Sequence, residues 1–329
     1  MTLPLDDASW RTSDFNRFGV QLLWVRNNNG PSIVARARIP VMVLTVFLGV
    51  LVYLWTYELY GWTGAVLALS LLCFDPNILA NGGLATNDLG MACFTCLAAY
   101  AFWRMLVKPG WGRATLAGIA LGLALTAKFS AIFLLAALPV MALATWWLSP
   151  KERRTTKQLK ALALLTPWVV GAAFLTLWTV YGFQIHYDPV TGFPVPAQAY
   201  LDGLRLSKAT VFGGSPTFLL GMYSTTGWWY YFPVALFVKT PLPTLILVAC
   251  AVVYAIRERD WKRSAVLLVP VVIYFALAML SPLEIGYRHL LPILPFLFVF
   301  TGQLANKPLR VNWFKWAVPA LVALLVIGT

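Results

Sequence analysis

The feature that constrains this chain most is a series of apolar runs, each about 15–20 residues long, separated by short polar stretches. A helix of that length crosses the hydrocarbon core of a bilayer. Such runs are read at 36–57, 61–75, 89–106, 114–127, 129–148, 160–181, 238–256, 263–280 and 288–305, and a tenth begins near 315. The 114–127 run is short for a crossing, so it must be thin, tilted or paired with its neighbour. The chain is 60% hydrophobic and only 11% charged, too little polar surface for a soluble domain of 329 residues. No apolar/polar alternation of a β-barrel is visible. The pattern predicts an all-α polytopic membrane protein, a multispan helical bundle. A polar outer-face segment at 1–35 precedes a transmembrane domain at 36–329.

The net charge of +13 would suggest nucleic acid in a soluble protein. Here the cations sit in short loops between apolar runs, so they report topology, and no nucleic-acid partner is expected. One set of alternating loops carries fifteen Lys and Arg, the other five. The richer set is therefore cytoplasmic, and the loops 74–90, 182–237 and 281–288 face outside. The segment 1–35 then also lies outside, and the sequence ends within an apolar run. Both observations lead us to expect a piece of a longer gene product with a span upstream. Cys73, Cys93, Cys96 and Cys250 all lie in apolar runs and read as small buried hydrophobes rather than a redox or metal motif.

The outer loops gather the ionisable residues. "FDPNILANGGLATNDLG" (74–90) supplies Asp75 and Asp88. Lys128 lies between the fourth and fifth spans. The long loop supplies His186, Asp188, Asp202, Arg205 and Lys208, then Trp228, Trp229, Tyr230 and Tyr231 ahead of Lys239. The last outer loop supplies Glu284, Arg288 and His289. Charges stranded in lipid are costly, so residues of this kind pair or line a polar cavity. Simpler readings stand beside each. Lys128 and Lys239 fit snorkelling anchors, and the four rings at 228–231 fit an interfacial belt. Asp75 fits a helix stop before Pro76, and Asp88 the N-cap of a helix beginning at Leu89. Glu284 and Arg288 fit a surface ion pair.

Four segments resemble signatures of the protein O-mannosyltransferase-like glycosyltransferases, which use polyprenyl-phosphate sugars. They are "FDPNILANGGLATNDLG", "AGIALGLALTAKFSAIFLL", "GWWYYFPVALFVKTPLP" and "IGYRHLLPILPFL", in that order across roughly 35–300. The resemblance implies a GT-C fold, a multi-pass protein of a bacterial inner membrane, and sugar transfer on its outer, periplasmic face. The partners it implies are a polyprenyl-phosphate-sugar lipid and an acceptor hydroxyl on protein, lipid or glycan. It carries Asp88 over as a substrate-orienting carboxylate. Cations are needed where the departing phosphate gathers charge, and a single displacement would invert the anomeric centre. Lys128, Arg205, Lys239, Arg288 and His289 are the candidates, with Lys239 and Arg288 favoured. Glu284, Trp228, Trp229 and Tyr230 complete the expected substrate-binding set.

The family's main catalytic Asp stands in an outer loop upstream of anything matched here. Asp6 and Asp7 suggest themselves as substitutes but match better the later part of that loop, shortly before an amphipathic stretch. Asn81 and Gly83 stand where the family often has His and Arg. Asp75 and Asp88 are thirteen residues apart with nothing to bring them together, so neither metal nor cofactor is expected. Two other readings remain: a catalytically incomplete fragment or scaffold of such an enzyme, and a lipid or solute transporter. The second would place charges at mid-membrane and show inverted repeats; the charges lie at one face and no repeat is visible.

Overall fold

The computed structural model describes residues 1–12, 14–149, 156–213, 216–259, 261–305 and 314–328. The cations counted above at 151–154 and at 307 and 310 lie outside these residues. Among the described residues six helices are long and apolar enough to cross a membrane, or seven if one bent pair forms a single span. The all-α class expected from the apolar runs is the one found. Two hairpins of three-residue strands in the long loop are the exceptions: Ile185–Tyr187 pairs with Pro194–Pro196, and Thr217–Leu219 with Met222–Ser224. The second closes through Leu220 and Gly221, both at positive φ, as a tight two-residue hairpin requires.

The helix Gly30–Cys73 is 44 residues long, and if straight would run about 66 Å, twice the hydrocarbon core. It is not straight. Gly61 sits at φ 80°, ψ −174°, a backbone conformation open essentially to glycine alone. The chain folds back there, and a Cβ placed on Gly49 would lie 3.4 Å from Leu69 and 3.8 Å from Leu72. The two arms are the first two spans read from sequence.

The short fourth span, Trp111–Ala127, packs along Thr156–Val180 through Gly118 and Gly122. A Cβ on Gly118 would meet that of Ala172 at 2.5 Å, and one on Gly122 the Ala173 carbonyl at 2.6 Å. In lipid, where apolar burial drives little association, such backbone approach supplies the contact. The centre of the bundle is Tyr287–Ala305, mostly buried, with Phe296, Phe298 and Phe300 packed among Trp55, Met91 and Met105. It begins as a 3₁₀ turn over Tyr287–Ile293, because Pro292 and Pro295 remove the donors an α-helix would use.

The expected span at 238–256 is corrected in shape. It is the helix Leu242–Glu258, and Tyr231–Lys239 precedes it at a bend of 112°. Thr240 is extended (ψ 133°) because the residue before Pro241 is excluded from the helical region. Lys239 therefore ends a short helix at the corner rather than opening the span.

Candidate functional site

The site begins with Asp88. The sequence suggested it as an N-cap, but Asn87 holds that place and Asp88 is the first helical residue of Asp88–Val107, with no cap made by the Asn87 side chain. The Asp88 carboxylate turns instead to Lys128, whose Nζ donates to Oδ1 at 2.6 Å. Charge attraction at the close of one helix and the opening of another outweighs a cap, while the first-turn acid still meets the positive end of the helix dipole. The Asp88 side chain is 4% exposed and that of Lys128 16%, so the pair is shielded from water on one side. Lys128 is extended (φ −161°, ψ 138°), the hinge between Trp111–Ala127 and the 3₁₀ turn Phe129–Phe133.

Lys128 opens onto a cavity of about 450 Å³. Lys128, Lys208, His289 and Asn87 are among its polar lining; Ile132, Phe133, Leu204, Val211 and Leu277 are among its apolar walls. His289 is buried between two rings, with Phe232 at 5.4 Å and Tyr274 at 5.9 Å between centroids. The Tyr274 hydroxyl donates to the His289 carbonyl at 2.8 Å, which fixes the backbone that carries the imidazole. Nδ1 of His289 is buried and has no hydrogen-bond partner among the described residues. The Ser130 hydroxyl donates to the Met91 sulfur at 3.1 Å and lies on the cavity wall.

The other expected residues lie elsewhere. Arg205 grips Asp188 through two guanidinium nitrogens at 2.6 and 3.1 Å and also reaches Asp202 at 3.2 Å. Thr191 and Gln198 donate to the same Asp188 carboxylate. The Arg205 guanidinium holds Asp188 well below the usual carboxylate range. Arg205 is thus the tie that closes the Ile185–Gln198 turn onto helix Gln198–Phe212. Glu284 accepts from the Trp228 amide and joins the aromatic run to the 281–288 loop. Burial pushes its carboxyl above the usual value, opposed by that hydrogen bond. Lys239, Arg288 and Trp229 are exposed, Trp228 and Tyr230 are half-buried, and none of the five lines the cavity. No ion pair joins Glu284 to Arg288 among the described residues.

Asp75 also differs from expectation. It starts a helix rather than stopping one: its carboxylate accepts from the amides of Asn77 and Ile78, each at 2.9 Å, and caps Pro76–Gly82. Burial raises its pKa, against the lowering by those two amides. Asp6 pairs with Arg26 at 2.6 Å and Asp7 with Arg17 at 3.4 Å, and hydrogen bonds lower both carboxyls. His186 is exposed on a hairpin strand. Among the described residues no three His, Cys, Asp or Glu converge as metal ligands.

Sequence reasoning left Lys208, Tyr274 and Ser130 out of the site. Tyr274 is a lone hydroxyl in an apolar run and Ser130 stands two residues after Lys128, and neither pattern distinguishes a cavity wall from a packed helix.

The helical architecture is that of the GT-C glycosyltransferases. It superposes on ArnT from Cupriavidus metallidurans in the apo state with a TM-score of 0.58 at 18% identity, over 88% of this chain and 47% of that one. The Archaeoglobus fulgidus oligosaccharyltransferase in the apo form gives 0.53 at 15% identity, over 94% and 45%. The archaeal oligosaccharyltransferase AglB from the same organism, in complex with an inhibitory peptide and a dolichol-phosphate, gives 0.52 at 14%, over 95% and 46%. The chain spans about half the length of these structures. Residues 13–188 match the dolichyl-phosphate-mannose-protein mannosyltransferase (PMT) family, more than half of the chain, and the chain belongs to that family. No curated protein sequence matches it.

Proposed function

We propose that this chain carries the membrane-embedded site of an inverting glycosyltransferase, which moves a sugar from a polyprenyl-phosphate donor to an acceptor hydroxyl at the outer, periplasmic face. The observation that carries the proposal is the Asp88–Lys128 pair opening onto a cavity lined by Lys128, Lys208 and His289 together with apolar side chains. A polyprenyl-phosphate has that shape, with a charged head and an isoprenoid tail. The fold and the family support the same reading.

In this reading the head sits against Lys128, with Lys208 and His289 beside it. As the bond from the anomeric carbon to the phosphate oxygen breaks, negative charge grows on the phosphate. A fixed ammonium placed there stabilises the transition state more than the ground state. Asp88 does not line the cavity and acts through Lys128, holding its ammonium in place without reorganisation. The acceptor oxygen attacks from the face opposite the phosphate, which inverts the configuration. Its proton goes to a carboxylate base, a role that no described residue of the cavity wall fills; we give Asp88 the positioning role only.

The test is mannosyl transfer from a polyprenyl-phosphate-mannose to a Ser/Thr peptide in proteoliposomes of the longest gene product containing this chain. Lys128→Ala should lower kcat by about 100-fold or more, the usual cost of losing one preorganised electrostatic group. The pair-neutral variant Asp88→Asn with Lys128→Gln should be equally inactive while remaining folded. Full activity in that double variant would overturn the assignment.

A further inference from the structure

The opposite end of the bundle carries a second cavity, of about 430 Å³, where five helix ends meet. Glu58 comes from the hairpin corner, Trp103 from the end of Asp88–Val107, Trp146 from the end of Leu134–Trp147, Leu162 from Thr156–Val180 and Lys262 from the start of Trp261–Met279. A smaller cavity of about 230 Å³ adjoins it, sharing Glu58, Trp103 and Val107, and adds Arg104, Lys108 and Arg113. The acid at this junction is already occupied. Glu58 accepts from the Tyr100 hydroxyl at 2.7 Å and pairs with Arg104 at 3.7 Å. Among the described residues Lys108, Arg113 and Lys262 have no carboxylate within ion-pair distance.

Cations near a membrane surface ordinarily report topology alone. Here a further feature points to a ligand. The charged cavity runs into an apolar groove of about 340 Å³ through shared residues Ala142, Trp146 and Leu162. That groove descends between Leu134–Trp147 and Thr156–Val180, walled by side chains such as Leu135, Leu138 and Val170. A cationic pocket at the helix ends, continuous with a hydrocarbon groove between two spans, matches a lipid with an anionic head and acyl chains. A free anion would use the pocket and leave the groove unfilled.

We propose that this junction is a binding site for an anionic diacyl phospholipid, distinct from the cavity at Lys128. Its phosphodiester lies against Lys262 on one side and Lys108 and Arg113 on the other. The indoles of Trp103 and Trp146 flank the glycerol region, and one acyl chain lies in the Leu135–Val170 groove. A lipid there ties together the helix ends that meet at the junction.

The test is native mass spectrometry of the full chain from nanodiscs holding equal phosphatidylglycerol and phosphatidylcholine. Phosphatidylglycerol should be retained over phosphatidylcholine by about 30-fold or more, the scale of attraction expected from two or three cations at a headgroup. Lys108→Gln with Lys262→Gln should abolish that preference, and Lys108→Arg with Lys262→Arg should keep it. Leu143→Trp, a lipid-exposed change that fills the groove without touching charge, should reduce retention of both lipids. Equal retention of the two lipids by the parent, or an unchanged preference in the Gln pair, would overturn the site. Displacement of the lipid by millimolar inorganic phosphate would reassign it to a free anion.

Discussion

The two ends of the helical bundle treat a similar pair of charges in opposite ways. At one end Asp88 and Lys128 meet at 2.6 Å with almost no exposure of the acid. At the other, Glu58 and Arg104 are 3.7 Å apart, with side chains 36% and 44% exposed. The first pair is made by a backbone hinge that aims Lys128 at the start of the neighbouring helix. The second is a long-side-chain contact at the rim, steadied by the Tyr100 hydroxyl and by Arg104 lying 5.7 Å above the Tyr100 ring. The difference shows how one chain separates a preorganised cation from adaptable ones. A fixed ammonium suits charge that develops during a reaction, and loose cations suit a headgroup that exchanges.

The largest expected effect tests that contrast directly. Lys128→Met leaves a buried carboxylate without a partner and should destabilise the protein by about 3–5 kcal/mol. Arg104→Met at the other end should cost under about 1 kcal/mol, because exposed pairs contribute little. Denaturant unfolding in detergent, followed by tryptophan fluorescence, measures both, and equal losses would erase the distinction between the ends. Gly61→Ala, at the corner beside Glu58, forces a Cβ into a glycine-only conformation and should cost about 1–3 kcal/mol by the same measurement. Asp75→Ala, on the Asp88 side, removes the two amide contacts of a cap and should cost about 1 kcal/mol. Asp75→Asn should restore most of it, since the amide oxygen still accepts.

The smallest effect separates two clasps in the loops 182–237 and 281–288 by pH. Asp188 is depressed by Arg205, so its contribution is complete above the ordinary value of 3.8 and is lost as pH falls through the lower, folded value. Glu284 is raised by burial above its ordinary 4.5, so its contribution is complete below 4.5 and is lost as pH rises through the higher, folded value. Rate-corrected hydrogen exchange should therefore show unchanged protection over 185–212 between pH 7 and 4. Over the same range protection of the Trp228 amide should grow. Arg205→Ala should release 185–212 already at pH 7.

The spans were legible because a hydrocarbon solvent leaves few options. A run of about 20 apolar residues either crosses or is buried, and nine runs read from sequence correspond to helical arms in the structure. The break at Gly61 was legible as the gap between the runs at 36–57 and 61–75, and the structure turns it into a hairpin within one 44-residue helix. The site was legible only in part. Asp88 and Lys128 were each singled out, but their pairing spans 40 residues and depends on which helices are neighbours. Arg205 read as a phosphate ligand because it is an arginine in an outer loop, and Asp188, seventeen residues away, occupies it. Asp75 precedes a proline in either reading. Whether it ends one helix or caps the next depends on the backbone turning at Phe74, which residue type does not encode.

By itself the sequence determined that this chain is a helical membrane bundle and where its apolar crossings fall. Those properties follow from hydrophobic length, which is local and adds along the chain. Only the tertiary structure decided that Lys128 faces Asp88, that His289 is held between Phe232 and Tyr274, and that Lys239 and Arg288 stay outside the cavity. Those outcomes depend on helix packing and on bends at glycine and proline, which bring residues tens to hundreds of positions apart within a few ångströms.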